Sequence, residues 1–100
     1  MKKKAMISQP MRGKTEEQIH SERAAVVLML ENRGYEVVNT VFTSFISAGA
    51  SPLQCLSKSI GAIAEVDFVL FMSGWEAARG CWIEMMCCVG YGVPFEVANR

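Results

Sequence analysis

The sequence predicts one three-layer α/β domain built on a parallel sheet. Three observations carry this. Four short apolar runs alternate with three helical patterns, in the order β-α-β-α-β-α-β. The run Asp67–Met72 is almost continuously apolar, as strands covered on both faces are. Two capping boxes, Thr15-Glu16-Glu17-Gln18 and Ser51-Pro52-Leu53-Gln54, mark helix starts.

Taken in order, Lys4–Ile7 is a short apolar strand that runs into the loop Ser8-Gln9-Pro10. The first helix follows Thr15 and sets Ile19, Val26, Val27 and Leu30 on one face, near the 3.6-residue period. Asn32-Arg33-Gly34 ends it, because Gly34 accepts the left-handed cap conformation. Tyr35–Asn39 is a second strand. Thr40–Ala50 has Phe42, Phe45 and Ile46 but no period, and reads as a loop or short helical turn over the site. The second helix starts at Pro52, a favoured first residue, and carries Leu53, Leu56, Ile60 and Ile63 as a buried stripe to about Glu65. Gly61 within it suggests a close approach to another element. After Asp67–Met72 come a loop at Ser73–Arg79, a third helix at Gly80–Tyr91 and a last strand at Val93–Val97.

The 100 residues are one domain's worth, with 51% hydrophobic and 20% charged residues, a globular composition. Ten basic residues balance ten acidic ones, which argues against a polymeric nucleic-acid binder. Lys2-Lys3-Lys4 reads as the solvated end of a strand. Cys55, Cys81, Cys87 and Cys88 form no C-x-x-C pair, and with the single His20 they do not make a usual zinc set. They read as reduced, mostly buried thiols of a cytoplasmic protein. No signal peptide or membrane span is expected. Neither a metal nor a cofactor is implied.

Ligands of open parallel sheets bind beyond the carboxyl ends of the strands, where the winding reverses. Two loops meet there if strands one and three are neighbours: Ser8-Gln9-Pro10-Met11-Arg12-Gly13 and Ser73-Gly74-Trp75-Glu76-Ala77-Ala78-Arg79-Gly80. Both lead into helix N-termini, which favour anions. Arg12 is either a solvated arginine or a phosphate or carboxylate partner. Trp75 is either a packing residue or a stacking surface, and Arg79 with Glu76 either a mutual pair or ligand groups. Glu84 stands in an otherwise apolar helix, with Gly80 one turn earlier on the same face. It is either a surface carboxylate or one kept for chemistry in a polar cavity.

The run S-Q-P-M-R-G-K-T-E-E-Q-I…E-R, with K-S-I…D-F-V-L-F…G-W-E-A-A-R-G-C-W-I-E, resembles the short nucleoside 2-deoxyribosyltransferase-like proteins of phages and their bacterial hosts. The resemblance covers nearly the whole chain. It implies a small flavodoxin-like or Rossmann-like three-layer sandwich with a four- to five-stranded parallel sheet, and a homodimer or larger homo-oligomer. It implies Glu84 as the nucleophile that attacks the anomeric carbon of a deoxynucleoside or its monophosphate. Ser8, Gln9, Met11, Arg12 and Gly13 would hold the sugar and phosphate, with Arg12 on the phosphate. Ser73, Gly74, Trp75, Glu76, Arg79 and Gly80 would line the other side. The resemblance breaks at one place: eight residues before Asp67, where the family carries a second carboxylate, stands Ser59, with Lys58 beside it. Met6 stands where the monophosphate enzymes carry a tyrosine. Lys58 and Ser59 suit an anionic ligand better than proton donation to a leaving base.

Two functions are therefore expected in competition. One is an N-glycosidase or deoxyribosyltransferase acting through Glu84. The other is a non-catalytic nucleotide-binding module of phage or prophage origin that sequesters or senses its ligand. A purely structural interaction domain would leave Arg12, Arg79 and Glu84 without a shared purpose.

Overall fold

The computed structural model describes residues 2–40 and 49–98. The elements are β1 (Lys3–Ser8), α1 (Glu16–Asn32), β2 (Tyr35–Val37), α2 (Pro52–Ile63), β3 (Phe68–Phe71), a 3₁₀ turn (Trp75–Ala77), α3 (Arg79–Tyr91) and β4 (Phe95–Val97). The sheet is four-stranded and wholly parallel, in the order β2-β1-β3-β4. This is the expected three-layer α/β architecture, of flavodoxin-like build. The expected loop at Ser73–Arg79 contains the 3₁₀ turn; β1 extends one residue beyond the expected Lys4–Ile7 at each end, and the other three strands are shorter than their apolar runs suggest. Most of the loop read at Thr40–Ala50 lies outside the described residues; Thr40 itself is buried and donates from its hydroxyl to the Ile7 carbonyl at 3.3 Å.

Strand alternation sorts the core onto two faces. Ala5 and Ile7 of β1 pack with Phe68, Leu70 and Leu30 on the α1 side. Met6 packs with Val69, Phe71, Ile63, Met85 and Cys88 on the side of α2 and α3. All four β3 residues are buried, as the unbroken apolar run requires of a strand covered on both faces. Each such side chain contributes about 1.5–3 kcal/mol by leaving water. Tyr35 stacks on Phe68 at 5.2 Å and Phe71 meets Phe95 edge-on at 6.0 Å, which fastens the edge strands to the centre.

Both capping boxes form. Thr15 Oγ1 accepts from the Gln18 amide at 3.1 Å while Gln18 Oε1 accepts from the Thr15 amide at 2.8 Å. Ser51 and Gln54 repeat the exchange at 3.2 and 2.7 Å. Gly34 takes the left-handed conformation at φ +92°.

Three expectations need correction. Leu53 is not in the buried stripe; it is 72% exposed, because the first turn of α2 projects beyond the sheet. Gly61 marks no close approach, since a Cβ there would meet nothing within 4 Å. The buried face of α1 includes Arg23, which the apolar period passed over.

Candidate functional site

The site lies where the winding reverses. Strands β1 and β3 are neighbours, and their downstream connections go to opposite faces of the sheet, α1 to one and α3 to the other. The two loops do meet there. The Met72 amide donates to the Ser8 carbonyl at 2.9 Å. Gly74, at φ +91°, would place a Cβ 3.6 Å from Pro10 Cγ, so a side chain there would be both strained and against the first loop.

Ser8 is the last residue of β1 and faces the α2/α3 side, in phase with Met6. Its hydroxyl donates to Glu84 Oε1 at 2.6 Å, a buried bond between groups 76 residues apart. Glu84 is 6% exposed and lies in the second turn of α3, so burial pushes its carboxyl pKa up. The hydroxyls of Ser8 and Ser59 pull it back down. Ser59, in α2, therefore stands beside Glu84, and its own Oγ also reaches the Cys55 carbonyl at 3.4 Å. Cys81, three residues before Glu84 and also buried, completes the cluster. Its thiol is pushed up to about 11, first by burial, against the pull of the Ser8 hydroxyl and with a push from the Glu84 charge. Such a thiol is protonated and unreactive at neutral pH.

The chemistry available is that of one buried carboxyl held by hydroxyls. A hydroxyl donor stabilises the ionised form without supplying a counter-charge. Among the described residues no group of three or more His, Cys, Asp or Glu side chains gathers to hold a metal ion.

The other expected site residues distribute unevenly. Gln9 is buried and points to the α1 side, where its Nε2 donates to the Ile19 carbonyl at 2.9 Å. Arg12 and Gly13 are exposed at the first loop and Met11 is half-buried. Ser73, Glu76 and Arg79 are exposed, and Glu76 and Arg79 do not pair with each other; the ion pairs among the described residues are Lys14–Glu22, Glu16–His20 and Arg33–Glu96. Trp75 is half-buried and packs on Phe71 at 5.7 Å, against the core cluster, so it has a packing role. Gly80 faces Leu56 of α2, where a Cβ would sit 3.8 Å from Leu56 Cδ1. Lys58 is exposed on α2 next to Ser59. Cys81, a member of the Glu84 cluster, and the buried Arg23 of α1 are not among the site residues the sequence singles out. Cys81 had a usable signal, since it lies one turn before Glu84 and on the same helix side.

Fold and cluster together define a class: a small α/β domain whose parallel sheet presents one buried carboxyl at its switch point. Within that class the chain belongs to a particular family, described as a domain of unknown function (DUF4406), whose model matches residues 3–95. No curated protein and no solved structure matches the chain. No helix among the described residues is long and apolar enough to cross a membrane.

Proposed function

We propose that this protein binds a nucleoside or nucleotide at the carboxyl ends of β1 and β3, and cleaves or transfers the N-glycosidic bond of a deoxynucleoside or its monophosphate. Glu84 is the nucleophile of this reading. Its ionised oxygen attacks the anomeric carbon, the bond to the base breaks with its electron pair leaving on the base, and the base takes a proton from water. Water or a second base then displaces Glu84 from the glycosyl ester, in the retaining manner of glycosidases. The observation that supports this most is the buried 2.6 Å bond from Ser8 to Glu84, which orients the carboxylate at the carboxyl end of β1. The exposed Arg12 at the mouth of α1 is the partner this reading gives to a phosphate.

One observation favours a second reading. The neighbour of Glu84 on α2 is a serine hydroxyl, which does not act as a carboxylic acid toward a leaving base. A pocket so equipped suits a module that sequesters or senses a nucleotide without turnover. We place either activity in the cytoplasm, in keeping with the unpaired thiols. We also infer a homo-oligomer, supported by the exposed apolar ridge of Trp82, Met86 and Val89 on α3.

The deciding experiment incubates the protein with deoxynucleosides and their monophosphates and measures free base by chromatography. The enzyme reading expects release that Glu84→Gln abolishes. No release from any substrate, with a nucleotide-dependent rise in Tm that Arg12→Ala removes, selects the binding module. No release and no shift rejects both.

A further inference from the structure

The carboxyl end of β1 carries a second polar cluster, on the opposite face of the sheet from Glu84. Arg23, in the second turn of α1, is 5% exposed, and its Nη1 is buried with no hydrogen-bond partner among the described residues. Gln9 is equally buried. Its Nε2 is engaged by the Ile19 carbonyl at 2.9 Å and by Glu22 at 3.4 Å, but its Oε1 has no partner among the described residues. A buried donor on α1 and a buried acceptor held against α1 are thus both left open among the described residues.

A guanidinium remains charged at any physiological pH. Burying it without a counter-charge is strongly unfavourable. Desolvation alone acts on Arg23, lowering its pKa, with no carboxylate offsetting it. The adjacent acid in sequence, Glu22, is already held by Lys14 at 2.8 Å. Residues 41–48 contain no aspartate or glutamate, so that segment offers no carboxylate either. The α1 helix runs antiparallel to the strands, as a parallel crossover requires. Ile19, whose carbonyl holds the Gln9 amide, lies one turn before Arg23 on the same face of α1, which sets the Gln9 amide and the Arg23 stem at neighbouring positions along the helix.

We propose that Arg23 and Gln9 form an oxyanion-binding subsite, separate from Glu84, which takes the carboxylate or phosphate group of a small ligand. Arg23 binds the oxyanion, and Gln9 Oε1 accepts a hydrogen bond from a hydroxyl or N–H on the same molecule. A fork of donors matched to two oxygens suits a carboxylate or phosphate over a halide. The subsite does not depend on the glycosidic reading, because Glu84 lies across the sheet from it.

The test follows Tm and binding heat of the full chain with inorganic phosphate and with acetate, at constant ionic strength against chloride. The wild-type protein is expected to respond saturably to at least one of the two, and the one it answers defines the group bound. Arg23→Met is expected to fold, by far-UV circular dichroism, and to weaken that binding at least about tenfold. Arg23→Lys, which keeps the charge and loses the fork, should fold and bind at an intermediate level. Glu84→Gln should respond as the wild type does, which separates this subsite from the proposed reaction. The proposal is overturned if neither anion acts on the wild type, if Arg23→Lys binds as tightly as the wild type, or if Arg12→Ala alone removes the response. It is also overturned if Arg23→Met merely dissociates an oligomer in sedimentation, since the missing counter-charge would then come from a second copy.

Discussion

Replacing Glu84 by glutamine removes a titrating group and keeps its shape. In the folded chain burial raises the carboxyl pKa above the 4.5 of an exposed glutamate, against the pull of the Ser8 and Ser59 hydroxyls. From pH 4.5 up to the folded titration point, the folded state holds a proton that the unfolded chain has released. Stability therefore falls as pH rises through that window, and the loss is complete above it. Every pH unit by which the folded titration exceeds the unfolded one removes about 1.4 kcal/mol. At about 4–8 °C per kcal/mol for a chain of this size, that is roughly 5–10 °C in Tm per unit. Glutamine escapes this loss, and its oxygen still accepts the Ser8 hydrogen bond. Glu84→Gln is thus expected to melt above the wild type at pH 8, with the gain shrinking as pH falls toward 4. Melting both proteins by circular dichroism from pH 4 to 8 checks this, because the other carboxylates are common to both and cancel. A Tm difference that is constant with pH, or a variant less stable at pH 8, would refute the reasoning.

Three further outcomes follow from particular contacts. Thr15→Ala and Ser51→Ala each remove the acceptor of a complete capping box, and each should lower urea stability by about 1 kcal/mol, additively. Cys81 and Cys88, both buried with thiols pushed up to about 11, should resist iodoacetamide at pH 8 while half-buried Cys55 is labelled first, as read by peptide mass spectrometry. Trp82→Lys places a charge on the exposed α3 ridge, and on the proposed oligomer it should shift sedimentation to the monomer with little change in monomer fold.

Much of the fold was legible because its signals are local. Thr15-x-x-Gln18 and Ser51-x-x-Gln54 name their own hydrogen bonds, and the unbroken run at Phe68–Phe71 states that both faces of that strand are covered. Ser59 was pointed to by the resemblance and not by a local signal, as the residue eight before Asp67, and it does stand beside Glu84. Arg23 was not legible. A period search scores apolar residues, and an arginine between Ile19 and Val26 reads as part of a solvated face. Burial of its guanidinium is a tertiary fact. Trp75 was ambiguous for the same reason: whether an aromatic in a loop packs or protrudes is decided by Phe71, a neighbour that the loop sequence alone does not reveal.

The two polar clusters share one cause. Ser8 and Gln9 are consecutive residues at the end of the central strand, and strand alternation sends them to opposite faces. Ser8 therefore meets Glu84 under α3, while Gln9 meets Ile19 and Glu22 along α1. On the first face the site has a carboxyl held by hydroxyls, with no counter-charge and no second acid acting on it among the described residues. Burial favours its neutral form at rest, yet a positive charge developing on a sugar ring beside it would favour the ionised form. Around a carboxyl that is 6% exposed that attraction exceeds what water permits. On the proposed reading, this is the property an N-glycosidic nucleophile needs. What the site lacks is a proton for the leaving group. Any substrate it turns over must therefore carry a base that departs without help from a carboxylic acid. Base release should accordingly rise steeply as the leaving base is made less basic, and a rate indifferent to the leaving group would place the slow step elsewhere.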